Sequence, residues 1–168
     1  MNEAQSDALH QQLTDAVKVW HAANEARGLP PSAERVRRVA AKLAAPDAVV
    51  VLVQDAVGAS GMALAEPGRA DDGMGAVISD RGHVSMVFVR PDVWGRGVGR
   101  EVLWELHRLA AAQGWSTLSL WTRISNERAR RLYERLGYRS SGRQKFLLSG
   151  DSIVHYERES PTRAPAAV

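Results

Sequence analysis

The chain has 168 residues, of which 45% are apolar, so it has the length of a single domain and enough apolar side chains to build a core. It lacks cysteine and any run of about 18 apolar residues, which excludes disulfides, a thiol nucleophile and a membrane-spanning helix. The first residues are polar and acidic, unlike a secretory signal, so we expect a cytoplasmic protein without a membrane partner. The net charge of +3 comes from interspersed basic and acidic residues and suits a small polyanion as well as a nucleic acid.

The first part of the chain predicts two helices followed by two strands. Apolar residues at spacings of three and four predict an amphipathic helix over residues 7–27. Ser32 is placed to cap a second helix, which stops before Pro46. The β-branched run at residues 48–53 predicts a strand buried on both faces, and residues 59–66 predict a second strand.

The middle of the chain predicts a loop and then a strand, helix and strand. Residues 67–82 are rich in Gly, Asp, Arg and Pro, so we expect a mobile loop, and a role as a lid is left open. Residues 83–89 predict a strand, and the apolar pattern from Val98 to Gly114 predicts a helix. Residues 117–122 predict a strand that a right-handed crossover makes parallel to the first.

The last part predicts one helix and a hairpin. The helix starts at Asn126, ends at Gly137 and turns an apolar stripe inward, made of Ala129, Leu132, Tyr133 and Leu136. Residues 138–148 and 152–158 predict two strands joined by a tight turn. We expect a single domain over residues 1–159 and a disordered tail over residues 160–168.

Glycines alternate in the segment between the predicted strand and the helix from Val98. Gly95, Gly97 and Gly99 carry no side chains, so backbone N–H groups can approach an anion there. The first turn of the helix adds unpaired donors and a partial positive charge, and Arg96 and Arg100 add full charges. This stretch therefore predicts a diphosphate-binding loop.

Two common nucleotide-binding loops do not match this stretch. A Walker loop ends in Gly-Lys-Ser/Thr, whereas Gly99 is followed by Arg100 and Glu101. A Rossmann loop needs a third glycine where Arg100 stands and an acidic residue after the next strand, which ends at Thr122. Another class of diphosphate site is required.

The sequence from Trp94 to Gly99 resembles motif A of the GCN5-related N-acetyltransferases, the GNAT family. It departs from that motif at Trp94, where the family has Gln or Arg. A second segment is similar to motif B of the family and lies at the expected distance: Asn126, Ala129, Tyr133, Glu134, Gly137 and Tyr138. The two motifs occur in order and span residues 82–142.

The resemblance implies an α/β fold with a mixed, curved sheet of six to seven strands and about four helices, splayed at the acetyl-CoA site. It implies that the backbone of Val87, Phe88 and Val89 contacts the pantetheine arm and supplies the donor to the thioester carbonyl. It assigns the diphosphate to Gly95, Arg96, Gly97, Val98, Gly99 and Arg100. Asn126 either holds the pantetheine arm or only caps its helix.

The resemblance also suggests catalytic residues. Tyr133 is our candidate general acid, because an ordinary phenol with a pKa of about 10 can donate to a thiolate of pKa about 8.5 at a cost of about 2 kcal/mol; the alternative is a buried core aromatic. His83 is our candidate general base. Other candidate bases are left open: Glu66, Asp71, Asp72, His155 and Glu157. The five histidines show no metal-ligand spacing.

We therefore expect an acetyl-CoA-dependent N-acetyltransferase in which a primary amine attacks the thioester directly in a ternary complex. The lack of cysteine argues against an acyl-cysteine route. A small-molecule amine is the expected acceptor, because Asp71 and Asp72 could attract a cation. A protein N-terminus or lysine is the alternative acceptor, and a CoA-binding regulatory module without catalysis is a rival function. A third class is a nucleic-acid-binding protein that uses the helix from Asn126, which would show salt-dependent binding to DNA. We expect no nucleic acid as a partner, since no aromatic residues interleave with the arginines, and a homodimer is left open.

Overall fold

The computed structural model describes residues 3–159, and the predicted disordered tail, residues 160–168, lies outside them. Four α-helices and six strands make an α/β fold. The helices are α1 (Glu3–Glu25), α2 (Ala33–Leu43), α3 (Val98–Ala112) and α4 (Glu127–Arg135). The strands are β1 (Val49–Asp55), β2 (Gly58–Arg69), β3 (Val77–Val89), β4 (Thr117–Arg123), β5 (Arg139–Phe146) and β6 (Ser152–Glu159).

The six strands form one mixed sheet in the order β1-β2-β3-β4-β6-β5. β1 pairs antiparallel with β2, and β6 pairs antiparallel with both β4 and β5. β3 and β4 pair in parallel, with α3 as the crossover between them. The predicted mixed sheet with about four helices is therefore confirmed.

The described chain divides into two compact units. One consists of the residues up to Ala65 together with Met86–Leu106, and the other consists of Glu66–Ser85 together with the residues from His107 onward. The expectation of a single domain over residues 1–159 stays a prediction. No helix within residues 3–159 combines the length and apolar composition needed to span a bilayer.

The core of the first unit lies between two helices and the sheet. Ser32 caps α2 as predicted, since its side chain accepts a hydrogen bond from the Arg35 N–H. Val49 and Val51 of β1 are buried, whereas Val50 is half-buried against the helices on the other face. The buried members of this core are Ala16, Val19, Trp20, Val39, Leu43, Met62, Leu64 and Met86.

The close approach of α3 to β2 in this unit depends on Gly61. A Cβ at Gly61 would lie 2.7 Å from side-chain carbons of both Val98 and Val102. Because real Cβ atoms do not make contacts this short, only glycine allows the start of α3 to pack directly on the strand.

The core of the second unit is built around tyrosines. Tyr138 and Tyr156 are fully buried, and the Tyr133 ring packs edge-on against Tyr138 with centroids 5.7 Å apart. Leu118 and Leu120 of β4 are buried on the same strand face. The inward position predicted for Tyr133 is confirmed.

The prediction of a mobile loop over residues 67–82 is wrong for most of this segment. β2 continues to Arg69 and β3 begins at Val77, so only residues 70–76 connect the two strands, and they contain the short 3₁₀ turn Asp71–Gly73. Apart from Val77 and Ile78, the strand extensions consist of glycine, proline and polar residues and are mostly exposed. They pair with neighbouring strands in the sheet without an alternating apolar pattern.

Candidate active site

The glycine-rich loop adopts a backbone conformation that requires glycine at two positions. After β3, the chain passes through a 3₁₀ turn, Pro91–Val93, before α3 begins at Val98. Gly95 and Gly97 have φ angles of 84° and 89°, in the left-handed region. A Cβ at Gly97 would meet no heavy atom of residues 3–159 within 4 Å, so this side of the loop is open with respect to that part of the chain.

Four backbone N–H groups of the loop are available as donors. In the described part of the chain, no acceptor is hydrogen-bonded to the N–H of Gly95, Gly97, Val98 or Gly99. The amides of the two arginines differ, because the Arg96 N–H donates to Val93 O (3.3 Å) and the Arg100 N–H donates to Gly97 O (3.0 Å). Free amides at the start of a helix form an anion-binding site.

Arg90 connects the start of this loop to the β1–β2 hairpin. Its guanidinium donates to the carboxylates of Asp55 (2.7 Å) and Asp92 (2.6 Å) and to the Ala59 carbonyl (3.0 Å). Its own N–H donates to Ser60 O (2.8 Å). The Arg90 hydrogen bond holds the pKa of Asp92 below its usual range, so this network is ionised at neutral pH.

The side chain of Trp94 ties the glycine-rich loop to the end of β3, a role that the resemblance to motif A does not imply. Its indole Nε1–H donates to the carbonyl of Val89 at 2.7 Å. This bond closes the loop onto the last residue of β3, in the position where the GNAT motif has Gln or Arg. It also occupies the carbonyl of one of the three residues predicted to contact the pantetheine arm.

The parallel pairing of β3 and β4 covers only part of each strand. It joins Arg81–Val84 to Thr117–Leu120, although β3 runs to Val89 and β4 to Arg123. Ser85 is the first residue beyond this register. Its Oγ is buried and has no hydrogen-bond partner among the described residues, which makes it an unsatisfied polar atom within the predicted site.

His83, the predicted base, is half-buried in β3. Its Nδ1 lies 3.0 Å from the Oγ of Ser119 on β4, within hydrogen-bond distance. His83 and Ser85 are two residues apart on one strand and therefore point to the same face of the sheet. The structure thus places a titratable ring and an unsatisfied hydroxyl on one face of β3.

The motif B residues lie on α4 and directly before and after it, in the second unit. The Asn126 Oδ1 caps the helix by accepting from the Ala129 N–H at 3.3 Å, and its side-chain amide nitrogen is not used in this bond. Tyr133 is 8% exposed and packs against Tyr138 and Tyr156. The capping role of Asn126 is confirmed, while its contact with a cofactor and the acid role of Tyr133 stay predictions.

Three of the alternative bases, His155, Glu157 and Asp72, contact other polar groups. His155 is buried, its Nδ1 lies 2.8 Å from the Ser141 Oγ, and its pKa is lowered, chiefly by burial. Glu157 pairs with Arg81 (3.5 Å). Asp72 pairs with Arg143 and Lys145, so its carboxylate does not support the expected attraction of a cationic acceptor.

His107, which is half-buried on α3, has no place in the predicted site. Its Nε2 lies 3.0 Å from the Tyr138 hydroxyl, and its pKa falls to about 4, chiefly because burial disfavours the charged ring. Burial also raises the pKa of Tyr138. This pair is therefore neutral at physiological pH and has a structural role.

Comparison with known proteins agrees with this geometry. Residues 15–138 match the model of the acetyltransferase (GNAT) family. No curated protein matches the sequence significantly.

Solved structures share the fold at low sequence identity. The ribosomal-protein-S18-alanine N-acetyltransferase from Escherichia coli is 20% identical with a TM-score of 0.70, covering 93% of this chain and 92% of that chain. Aminoglycoside 6'-acetyltransferase type Ii is 19% identical with a TM-score of 0.68, covering 94% and 93%.

An aminoglycoside 6'-N-acetyltransferase complexed with coenzyme A is 12% identical with a TM-score of 0.68, covering 90% of this chain and 92% of that chain. The family match spans well over half of the sequence, and the fold agrees with it. The chain therefore belongs to the GNAT acetyltransferase family, whose members are acetyl-CoA-dependent N-acetyltransferases.

Proposed function

We propose that this protein transfers the acetyl group of acetyl-CoA to the primary amine of a small molecule in the cytoplasm, by direct attack in a ternary complex. The observation that carries the proposal is the set of four amides at Gly95, Gly97, Val98 and Gly99 that have no acceptor among residues 3–159. A diphosphate is the ligand that such a row of donors fits best.

The cofactor-binding part of the proposal lies in the first unit. The free amides would donate to the diphosphate oxygens, and the exposed side chains of Arg96 and Arg100 would add positive charge. Arg90 and Trp94 fix the N-terminal side of the loop, and α3 continues from its other end, so the donors are held in place before the ligand arrives. The end of β3, Val87–Val89, would contact the pantetheine arm.

The proposed catalytic residues lie in the second unit. The thioester supplies the activated acyl group. His83 would accept a proton from the ammonium of the acceptor, which gives the neutral amine that attacks the thioester carbonyl, and Ser119 would orient the His83 ring through the contact at Nδ1. Tyr133 would donate a proton to the leaving sulfur. The Ser85 hydroxyl is close to His83 in sequence and is available to donate to an oxygen of a bound reactant.

The acceptor is the least constrained part of this proposal. Structural neighbours named for a ribosomal-protein alanine and for aminoglycosides have similar TM-scores, so the fold does not decide between protein and small-molecule amines. We favour a small molecule, and a protein N-terminus or lysine is the alternative. Direct transfer is supported because the chain has no cysteine to carry the acyl group.

The test is an assay of free thiol released from acetyl-CoA in the presence of a panel of amines and peptides. Tyr133→Phe should lower kcat about 100-fold or more with little change in KM for acetyl-CoA. Tyr156→Phe is the matched control, since it removes another buried phenol in the same unit, one that is bonded to Glu134. An equal loss of kcat in the two variants would mean that Tyr133 only packs in the core and is not the general acid.

The rival function makes a different prediction in the same assay. A regulatory module would be stabilised by CoA against thermal unfolding but would release no thiol with any amine. Peptides that outperform every small amine would instead favour a protein acceptor. A melting temperature that does not change with added CoA would refute the proposal as a whole.

A further inference from the structure

Five side chains of the second unit form a compact polar cluster that the proposed chemistry does not use. We call Trp121, His155, Arg143, Lys145 and Asp72 the Trp121 cluster. Trp121 and His155 are register partners across β4 and β6, and their rings are 4.8 Å apart. Lys145 Nζ lies 4.7 Å from the centroid of the Trp121 ring, and the Arg143 guanidinium carbon lies 5.4 Å from it.

One carboxylate is shared between the two cations of the cluster. Asp72 contacts the Arg143 guanidinium and lies 3.0 Å from the Lys145 ammonium. His155 is buried with a lowered pKa and adds no charge at neutral pH. The Trp121 cluster therefore has an excess of one positive charge.

The other ion pairs of the neighbouring strands are balanced. Arg123 pairs with Asp151 at 3.3 Å, and Arg81 pairs with Glu157 at 3.5 Å. These two pairs are neutral, whereas the Trp121 cluster holds two cations and one carboxylate. An anion is the ligand that this arrangement favours, and the ring of Trp121 holds the two cations in position by cation–π contacts.

Asp72 has the features of an internal substitute for a ligand. It lies in the short connection between β2 and β3, and its φ of 55° is in the left-handed region, which is unfavourable for a residue other than glycine. Its side chain is partly exposed and could leave the cations without disturbing the core. An external carboxylate could make the same two ionic contacts.

The position of the cluster connects it with the proposed base. Trp121 is two residues beyond Ser119 on β4, and Ser119 contacts His83. Residues two apart in a strand share a face and are separated by about 7 Å. An acceptor whose amine reaches His83 would extend along this face toward the Trp121 cluster.

We propose that the Trp121 cluster binds a carboxylate of the amine acceptor, and that Asp72 occupies this position in the free protein. The acceptor class is then an amino acid or amino-acid derivative whose amine and carboxylate are several bonds apart. The inference rests on the proposed function, because it specifies the acceptor of that reaction. A polycationic acceptor is disfavoured, since Arg143 and Lys145 would repel it and Asp72 is already paired.

The experiment compares matched amines in the thiol-release assay. The probes are β-alanine, γ-aminobutyrate and ε-aminocaproate as amino carboxylates, pentylamine as the neutral-tailed amine, and cadaverine as the dication. At least one amino carboxylate should have a kcat/KM about tenfold above that of pentylamine, with cadaverine lowest, as expected for charge-assisted hydrogen bonds to the carboxylate.

Variants of the Trp121 cluster then test whether it causes the preference for amino carboxylates over pentylamine. Two variants, Lys145→Gln and Arg143→Gln, should each raise the KM for the best amino carboxylate about tenfold. The KM for pentylamine should stay the same in both variants. Asp72→Asn should lower KM for the amino carboxylate, because the internal competitor has lost its charge. Lys18→Gln is the matched control, since it removes a lysine that pairs with Asp15 on α1. This variant should leave the KM unchanged for both the amino carboxylate and pentylamine.

Two further outcomes separate this inference from the proposed function. Thiol release with equal preference for all amines, or a KM that rises in Asp72→Asn, would overturn the inference and leave the acetyltransferase proposal intact. If no amine releases thiol, calorimetry with ε-aminocaproate in the presence of CoA decides the inference. Binding that is lost in Lys145→Gln supports the carboxylate site, and an absence of binding overturns it.

Discussion

The N–H of Val98 offers the most direct test of the proposed diphosphate site. It is one of the four free amides, and Val98 is the first residue of α3. Proline is favoured at the first position of a helix, because that N–H has no partner within the helix and the ring fixes a suitable φ. Val98→Pro should therefore remove a single donor and leave the helix in place.

The expected loss can be estimated from the type of bond. A hydrogen bond to a charged acceptor contributes about 1.5–3 kcal/mol, so the Kd for CoA should rise about 10- to 100-fold. Part of any change could come from the lost isopropyl group, which packs on Gly61. Val98→Ala removes that group and keeps the N–H, so the difference between the two variants isolates the amide.

Isothermal titration with CoA provides the measurement, and chemical denaturation shows whether each variant is folded. Ala33→Pro places the same residue at the start of α2, behind the cap of Ser32, and should not change CoA binding. If Val98→Pro and Val98→Ala bind CoA with the same affinity, the Val98 amide does not contact the ligand. This result would refute the proposal that the loop amides bind the diphosphate.

Three other predictions follow from contacts described above. Trp94→Phe keeps an aromatic ring but loses the donor to Val89 O. We expect the free energy of unfolding to fall by about 1 kcal/mol and CoA to bind more weakly. A variant that is as stable as wild type and binds CoA as tightly would argue against the role of this bond. Gly61→Ala places a Cβ against Val98 and should destabilise the fold by about 1–3 kcal/mol in urea denaturation, whereas a neutral effect would mean that the helix can shift at little cost. The folded-state pKa of His107, about 4, lies below the unfolded value of 6.5, so its contribution to stability is present above pH 6.5 and is lost as the pH falls toward 4. Between pH 7.5 and pH 5, wild type should lose about 1–2 kcal/mol more than His107→Gln in denaturation experiments, and parallel losses would exclude His107 as the cause.

Sequence patterns were sufficient where a feature depends on neighbours in the chain. The cap at Ser32, the glycine conformations at Gly95 and Gly97, and the start of α4 at Asn126 all follow from residue types within one or two turns. The inward position of Tyr133 follows from helical spacing. These features include most of the proposed diphosphate site.

The remaining features depend on contacts between distant parts of the sequence. The bond of Arg90 to Asp55 links residues on separate strands, and no local pattern indicates it. The pairing of Asp72 with Arg143 and Lys145 likewise requires the sheet to be assembled first. The same reason explains the wrong loop assignment at residues 67–82, because a polar strand is held by its partners in the sheet.

The indole bond of Trp94 also makes this loop accessible to spectroscopy. The protein has five tryptophans and therefore five indole N–H signals in a nitrogen-15 correlation spectrum. The Trp94 proton is held by the Val89 carbonyl, so it should exchange slowly with solvent and respond to a ligand bound at the adjacent amides. Occupancy of the loop can thus be followed by NMR without labelling the ligand and without turnover.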